Sequence, residues 1–76
     1  MPPIDPAEAL RLHEAEILDI PGVVGTGIGA GPDGGPVLHV YVLTPEVVEA
    51  VRERVVALLP DQPFELIVMG LPEAQA

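Results

Sequence analysis

The sequence predicts an α+β fold, a two-layer sandwich in which two helices cover one face of a three-stranded sheet. Two segments have apolar residues at helical spacing, and three short segments are rich in β-branched residues. They follow one another in the order α-β-β-α-β. The 76 residues are predicted to form a single domain over 1–76.

The first helix is predicted over residues 5–19. Asp5 is a preferred N-cap residue, Pro6 suits the first helical position, and Glu8 follows Asp5 by three residues, as in a capping box. Pro21 and Gly22 end the helical pattern.

Two strands, over 22–30 and 37–43, are predicted to form a hairpin around a turn at 31–36. Asp33-Gly34 lies at the centre of this turn and suits its backbone geometry, so Gly34 is predicted to be a structural glycine. In the first strand, glycines alternate with larger residues and would therefore share one face. With the turn centred on Asp33-Gly34, these structural glycines would lie opposite residues of the second strand as follows: Gly25 opposite Val42, Gly27 opposite Val40, and Gly29 opposite Leu38.

The second helix is predicted over 45–59 and the third strand over 63–69, followed by a flexible tail over 70–76. Thr44 is expected to cap the helix, Pro45 to begin it and Pro60 to end it. This order of elements matches the ferredoxin-like fold with its first strand missing. The third strand is predicted either to pair directly beside the hairpin or to leave a gap that another chain's strand fills.

The glycine run GTGIGAG is predicted to be a strand rather than a phosphate-binding loop. Dinucleotide-binding loops have the spacing G-x-G-x-x-G and lead into a helix, whereas this run has glycine at every second position and leads into a turn. The bare glycine face would allow the helices to approach closely, so we expect the helices on that face.

The opposite face of the sheet is then predicted to be the interaction face. No further element of the chain is predicted to cover it, and uncovered partly apolar surfaces of this kind mark partner sites. A homodimer or docking to another protein domain follows as the expected arrangement. The residues of this predicted face are Thr26, Ile28, His39, Tyr41, Glu65, Ile67 and Met69.

Composition argues against an enzyme. The chain lacks Cys, Ser and Lys, so the usual nucleophiles are missing, and no catalytic residue, metal site or cofactor is predicted. Three basic residues against twelve acidic ones give a net charge of −9, which disfavours nucleic acid and anionic membranes as partners. Neither a signal peptide nor a membrane span is expected, so a cytoplasmic location is predicted. Arg without Lys, with abundant Ala, Val, Gly and Pro, suggests a GC-rich bacterial genome.

The segments IPGVVGTGIGAG, GPVLHVYVL and LPDQPFELIVMG carry a family resemblance over about residues 18–71. They resemble a small, uncharacterised bacterial domain that precedes trypsin-like protease domains in some bacterial and plant proteins. That resemblance implies an accessory or interaction role, although no protease domain is present in this chain. No site residue of the family carries over.

The sequence therefore predicts a non-enzymatic protein-interaction or oligomerisation module. One alternative is a small-ligand or metal site on the open sheet face around His39, Tyr41 and Glu65. Another is an accessory domain like the propeptides and inhibitors of subtilisin-type proteases, which are similar in size and topology and place a C-terminal tail in an active site.

Overall fold

A computed structural model describes residues 5–69 of the chain. It confirms the α+β sandwich: helices α1 (Pro6–Leu18) and α2 (Val48–Leu58) pack against a sheet of β1 (Val23–Ala30), β2 (Pro36–Val42) and β3 (Phe64–Val68). A turn of 3-10 helix, Pro45–Val47, precedes α2. The tail predicted over 70–76 lies outside the described residues.

The two helices begin in different ways. At α1, the Asp5 carboxylate accepts a hydrogen bond from the Ala7 backbone N–H at 3.2 Å, so Asp5 is the N-cap residue. Glu8 pairs with Arg11 one turn later. Thr44 occupies the N-cap position of the 3-10 turn, but its side chain makes no capping hydrogen bond, which corrects the prediction for Thr44.

The strands lie in the order β1-β2-β3. β1 is antiparallel to β2, and β3 is parallel to β2. The third strand therefore pairs directly beside the hairpin, and the alternative of a gap for another chain's strand is wrong. The connection through α2 makes β2-α2-β3 a parallel crossover unit, which returns the chain to the same sheet with its helix packed on one face.

The hydrophobic core lies between the two helices and one face of the sheet. Its centre is β2, where Leu38, Val40 and Val42 are fully buried. Ile17 of α1 and Val51 of α2 pack into the same cluster, so both helices cover the same face. The remaining buried members of the cluster are Ala9, Ile20, Val55 and Leu59.

The hairpin closes over three central residues, one more than the pair Asp33-Gly34 on which the predicted register was based. The Gly34 N–H donates to the Gly31 carbonyl at 2.9 Å, which makes Pro32 and Asp33 the central residues of the turn. Gly34 follows with φ of 84°, and Gly35 donates to the Asp33 carboxylate at 3.0 Å. Gly31 then pairs with Gly35, so three residues lie between the innermost paired residues of the hairpin instead of two.

The longer turn moves the register by one residue and reverses the predicted faces of β1. The predicted pairs of Gly25, Gly27 and Gly29 are wrong, because these glycines lie opposite Tyr41, His39 and Val37. A shift of one residue sends every side chain of a strand to the other face. The glycines therefore lie away from the helices, and the close approach predicted between helices and glycines does not occur.

Thr26 and Ile28 were predicted on the interaction face, and this prediction is wrong. They lie opposite Val40 and Leu38, two fully buried core residues, and so share the helix-covered side of the sheet. The Thr26 hydroxyl donates a hydrogen bond to the Glu14 carboxylate of α1 at 3.3 Å, in agreement with this orientation.

Candidate functional site

The side of the sheet away from the helices is here called the open face. Within residues 5–69, no element of the chain forms a second layer over it. Its side chains are partly exposed except for that of Val37, which is 6% exposed. The open face comprises Gly25, Gly27 and Gly29 of β1, Val37, His39 and Tyr41 of β2, and Glu65 and Ile67 of β3.

The glycines of β1 provide space for the two rings of β2. A Cβ atom added at Gly29 would overlap the His39 imidazole, lying 2.6 Å from Nδ1. At Gly27 and Gly25 the nearest atoms of Tyr41 would lie 3.4 Å and 3.5 Å away, which is close to ordinary contact. The rings of His39 and Tyr41 therefore pack over the glycines of β1. The sequence had predicted these rings and the glycines on opposite faces of the sheet.

The structure brings His39, Tyr41 and Glu65 together as the sequence predicted. The rings of His39 and Tyr41 meet edge to face with centroids 6.1 Å apart, and His39 Nε2 lies 3.8 Å from Glu65 Oε1. Nε2 is buried and has no hydrogen-bond partner among the described residues. His39 and Glu65 supply two metal ligands, whereas a structural zinc site needs four. Residues 5–69 contain no group of three or more His, Cys, Asp or Glu side chains that could hold a metal ion.

Two other residues of the predicted face lie on β3 or just beyond it. Ile67 lies opposite Tyr41 and shares the open face with it. Met69 follows the end of β3 and donates its backbone N–H to the Val42 carbonyl at 2.8 Å, while its side chain is 60% exposed. These two residues extend the apolar part of the sheet surface.

The outer edge of β1, here called the β1 edge, is a second candidate site, whose residues were not singled out from the sequence. Hydrogen-bonded and non-hydrogen-bonded pairs alternate in an antiparallel ladder. Because Gly31 and Gly35 form a hydrogen-bonded pair, Gly29 and Gly27 also bond to β2. The backbone N–H and C=O groups of Thr26 and Ile28 then point away from β2, toward the edge.

Apolar side chains lie beside the β1 edge. Ile28 is 43% exposed although it lies on the helix-covered side. On α1, Leu18 follows Glu14 by one helical turn, and Glu14 is bonded to Thr26, so Leu18 lies along the side of α1 that faces β1. Leu18 is 45% exposed.

The sheet carries little charge in a strongly acidic chain. Among the residues of β1, β2 and β3, Glu65 is the single acidic residue, and none is Lys or Arg. The other acids lie on the helices, in the loops or outside the described residues. A partner that approaches through the sheet thus meets few of the charges that give the chain its net charge of −9.

A shallow depression of about 370 Å³ opens at the hairpin end of the sheet. The residues that line this depression are apolar except for Asp33, which supplies its one carboxylate. This arrangement offers neither a nucleophile nor a pair of acids for catalysis. Its lining residues are Gly31, Pro32, Asp33, Pro36, Val37 and Pro63.

Comparisons of the chain with protein-family models, curated proteins and solved structures found no significant match. Within residues 5–69, neither helix has the length and apolar character needed to cross a lipid bilayer.

Proposed function

We propose that the chain is a non-enzymatic oligomerisation module whose partner is a second copy of itself, bound through the sheet. The observation that carries this proposal is the distribution of charge. The sheet is an almost neutral layer with one uncovered face and an uncharged edge strand, while the acids concentrate elsewhere. Two copies that meet through their sheets place fewer acidic side chains in the contact itself than two copies that meet through their helices.

The small size of the domain also supports self-association. A domain of this length buries only about 60% of the surface that its unfolded chain exposes. Association is a common way for such domains to bury more apolar surface. Ile28, Leu18 and Met69 are exposed apolar side chains on or beside the sheet that a partner would cover.

Sedimentation equilibrium of the full chain tests this proposal. We expect the mass to rise from 8.0 kDa toward twice that value as the protein concentration increases from about 10 μM to 1 mM. We also expect NaCl to strengthen association, because salt screens the repulsion between two acidic copies. A mass of 8.0 kDa at every concentration and salt level would contradict the proposal.

A matched pair of variants locates the contact. Ile28→Glu places a charge on β1, and Val56→Glu places the same charge on α2, at a side chain of similar exposure, 43% against 45%. For a contact at the β1 edge, we expect Ile28→Glu to weaken the dimer at least about tenfold, equal to about 1.4 kcal/mol; for a contact anywhere on the sheet, we expect Val56→Glu to change it little. The opposite ranking would place the contact on the helices and contradict binding through the sheet.

A further inference from the structure

The β1 edge has the features of a strand that pairs with another strand. In residues 5–69, β1 has a neighbouring strand on one side only, and Thr26 and Ile28 direct their backbone groups to the other side. Natural edge strands are protected from pairing by charged residues, prolines, short length or bulges. Val23–Ala30 is eight residues long and contains neither a proline nor a charged residue. The irregularity between Val23 and Gly25 lies near one end and leaves the stretch from Thr26 regular.

We infer that two copies of the chain pair through their β1 edges as antiparallel strands and form a continuous six-stranded sheet. This inference rests on the proposed function. It adds which surface the two copies share and how their β1 strands are aligned. An antiparallel strand is complementary to itself, because a two-fold axis places the donors of each copy opposite the acceptors of the other. The pairing therefore needs no second kind of surface.

The register follows from which backbone groups are available. A two-fold axis at Gly27 places Thr26 opposite Ile28 of the second copy, so that two residues with outward N–H and C=O groups face each other. This arrangement also overlaps most of β1 and leaves Pro32 outside the paired region. Gly25 then lies opposite Gly29 of the second copy.

The side chains of β1 suit this register on both faces of the joined sheet. On the open face only glycines meet at the junction, so no side chains collide there. On the helix-covered side, Thr26 and Ile28 form β-branched cross-strand pairs, which are favourable in sheets. The exposed part of Ile28 lies at the junction and would lose contact with water.

The β3 edge suits self-pairing less well. It is five residues long and carries Glu65. Antiparallel self-pairing of such a short strand would bring the two Glu65 carboxylates to the same face within a few residues of each other, where like charges destabilise the pairing. β1 carries no charged residue, so its edge is better suited to self-pairing than the edge of β3.

Amide hydrogen exchange measured by NMR tests the inference without altering the chain. Gly27 and Gly29 bond to β2 and should be protected at every concentration. Thr26 and Ile28 should exchange rapidly in dilute monomer and at least about tenfold more slowly at concentrations where sedimentation shows dimer. Thr26 and Ile28 amides that remain unprotected in a demonstrated dimer would overturn the β1 edge while leaving self-association intact.

Two substitutions at one position give an independent test. Ile28→Pro removes an outward N–H, a loss that an edge strand tolerates within its own fold, while Ile28→Ala keeps that N–H. We expect Ile28→Pro to weaken the dimer at least about a hundredfold, equal to about 2.7 kcal/mol, and Ile28→Ala to weaken it much less. Circular dichroism and a thermal melt at low concentration establish that each variant is folded.

Ile67→Glu serves as the control for association through the open face. If Ile67→Glu abolishes the dimer and Ile28→Pro leaves it unchanged, the copies meet face to face; the proposed function then stands and the edge inference fails. If the unaltered chain has a mass of 8.0 kDa at all concentrations, both fail.

Discussion

Replacing Leu38 with alanine is expected to lower the free energy of unfolding by about 2 to 5 kcal/mol. Leu38 is fully buried in the central strand and belongs to the cluster that both helices cover. Truncation removes apolar contacts and leaves a cavity that the parallel and antiparallel neighbours of β2 prevent from closing. A domain of 76 residues has a total stability of roughly 4 to 11 kcal/mol, so the variant should lose a large share of its stability.

Leu12→Ala is the matched control for this prediction. Leu12 lies on α1 and is exposed, so the same truncation should change stability by less than about 0.5 kcal/mol. Urea titrations followed by circular dichroism at one low protein concentration provide the comparison, because self-association makes stability depend on concentration. Equal losses for the two variants would contradict the assignment of the core to the β2 face that carries Leu38.

Replacing Gly29 with alanine is expected to lower stability by about 1 to 2 kcal/mol, because the new Cβ would occupy the space of the His39 ring. The ring must then leave its position over β1. In a His39→Ala background this obstacle is absent. There, Gly29→Ala should be neutral or stabilising by about 0.5 to 1 kcal/mol, as expected when alanine replaces a glycine in a strand.

The decisive quantity is the difference between the stability changes that Gly29→Ala causes with and without His39. We expect a coupling free energy of about 1 to 3 kcal/mol in the double-mutant cycle of Gly29 and His39. Gly25→Ala is the control on the same strand and face, because its Cβ would lie 3.5 Å from Tyr41, an ordinary contact distance. A Gly29→Ala cost that is the same with and without His39 would show that the glycines do not lie under the ring.

The fold could be predicted from the sequence because each element carries its own local signal. Asp5 and Pro6 begin α1, and the apolar spacing of the segment from Val48 to Leu58 indicates a helix with one buried face. His39, Tyr41, Glu65 and Ile67 were predicted on one face, and the strand pairings place them there. That prediction depended only on alternation within β2 and β3.

The faces of β1 could not be predicted in the same way, because they depend on the length of the turn. The dipeptide Asp33-Gly34 suits a two-residue connection, and the preceding Pro32 suits the first central position of a different turn. Asp33 does not take a positive φ in the structure, and Gly34 does. This local choice sets the register and thereby moves Thr26 and Ile28 from the open face to the helix-covered side.

The sequence did contain a signal for the β1 edge. Val23–Ala30 lacks the charges and prolines that protect edge strands, a feature of the amino-acid sequence itself. The topology was needed to interpret it, because the order β1-β2-β3 places this strand at an edge, whereas pairing of β3 beside β1 would have placed it in the middle of the sheet. Position in the sheet depends on contacts between distant segments, which local patterns do not specify.

An isotope-filtered nuclear Overhauser experiment on a mixture of labelled and unlabelled chain tests the central claim most directly. If two copies pair through the β1 edges with the two-fold axis at Gly27, signals between chains should connect the Hα atoms of Gly25 with those of Gly29 of the second copy, because these residues form a non-hydrogen-bonded pair with close Cα atoms. Intermolecular signals from Tyr41 and Ile67 with none from the glycines of β1, or no intermolecular signals at about 1 mM, would contradict the account.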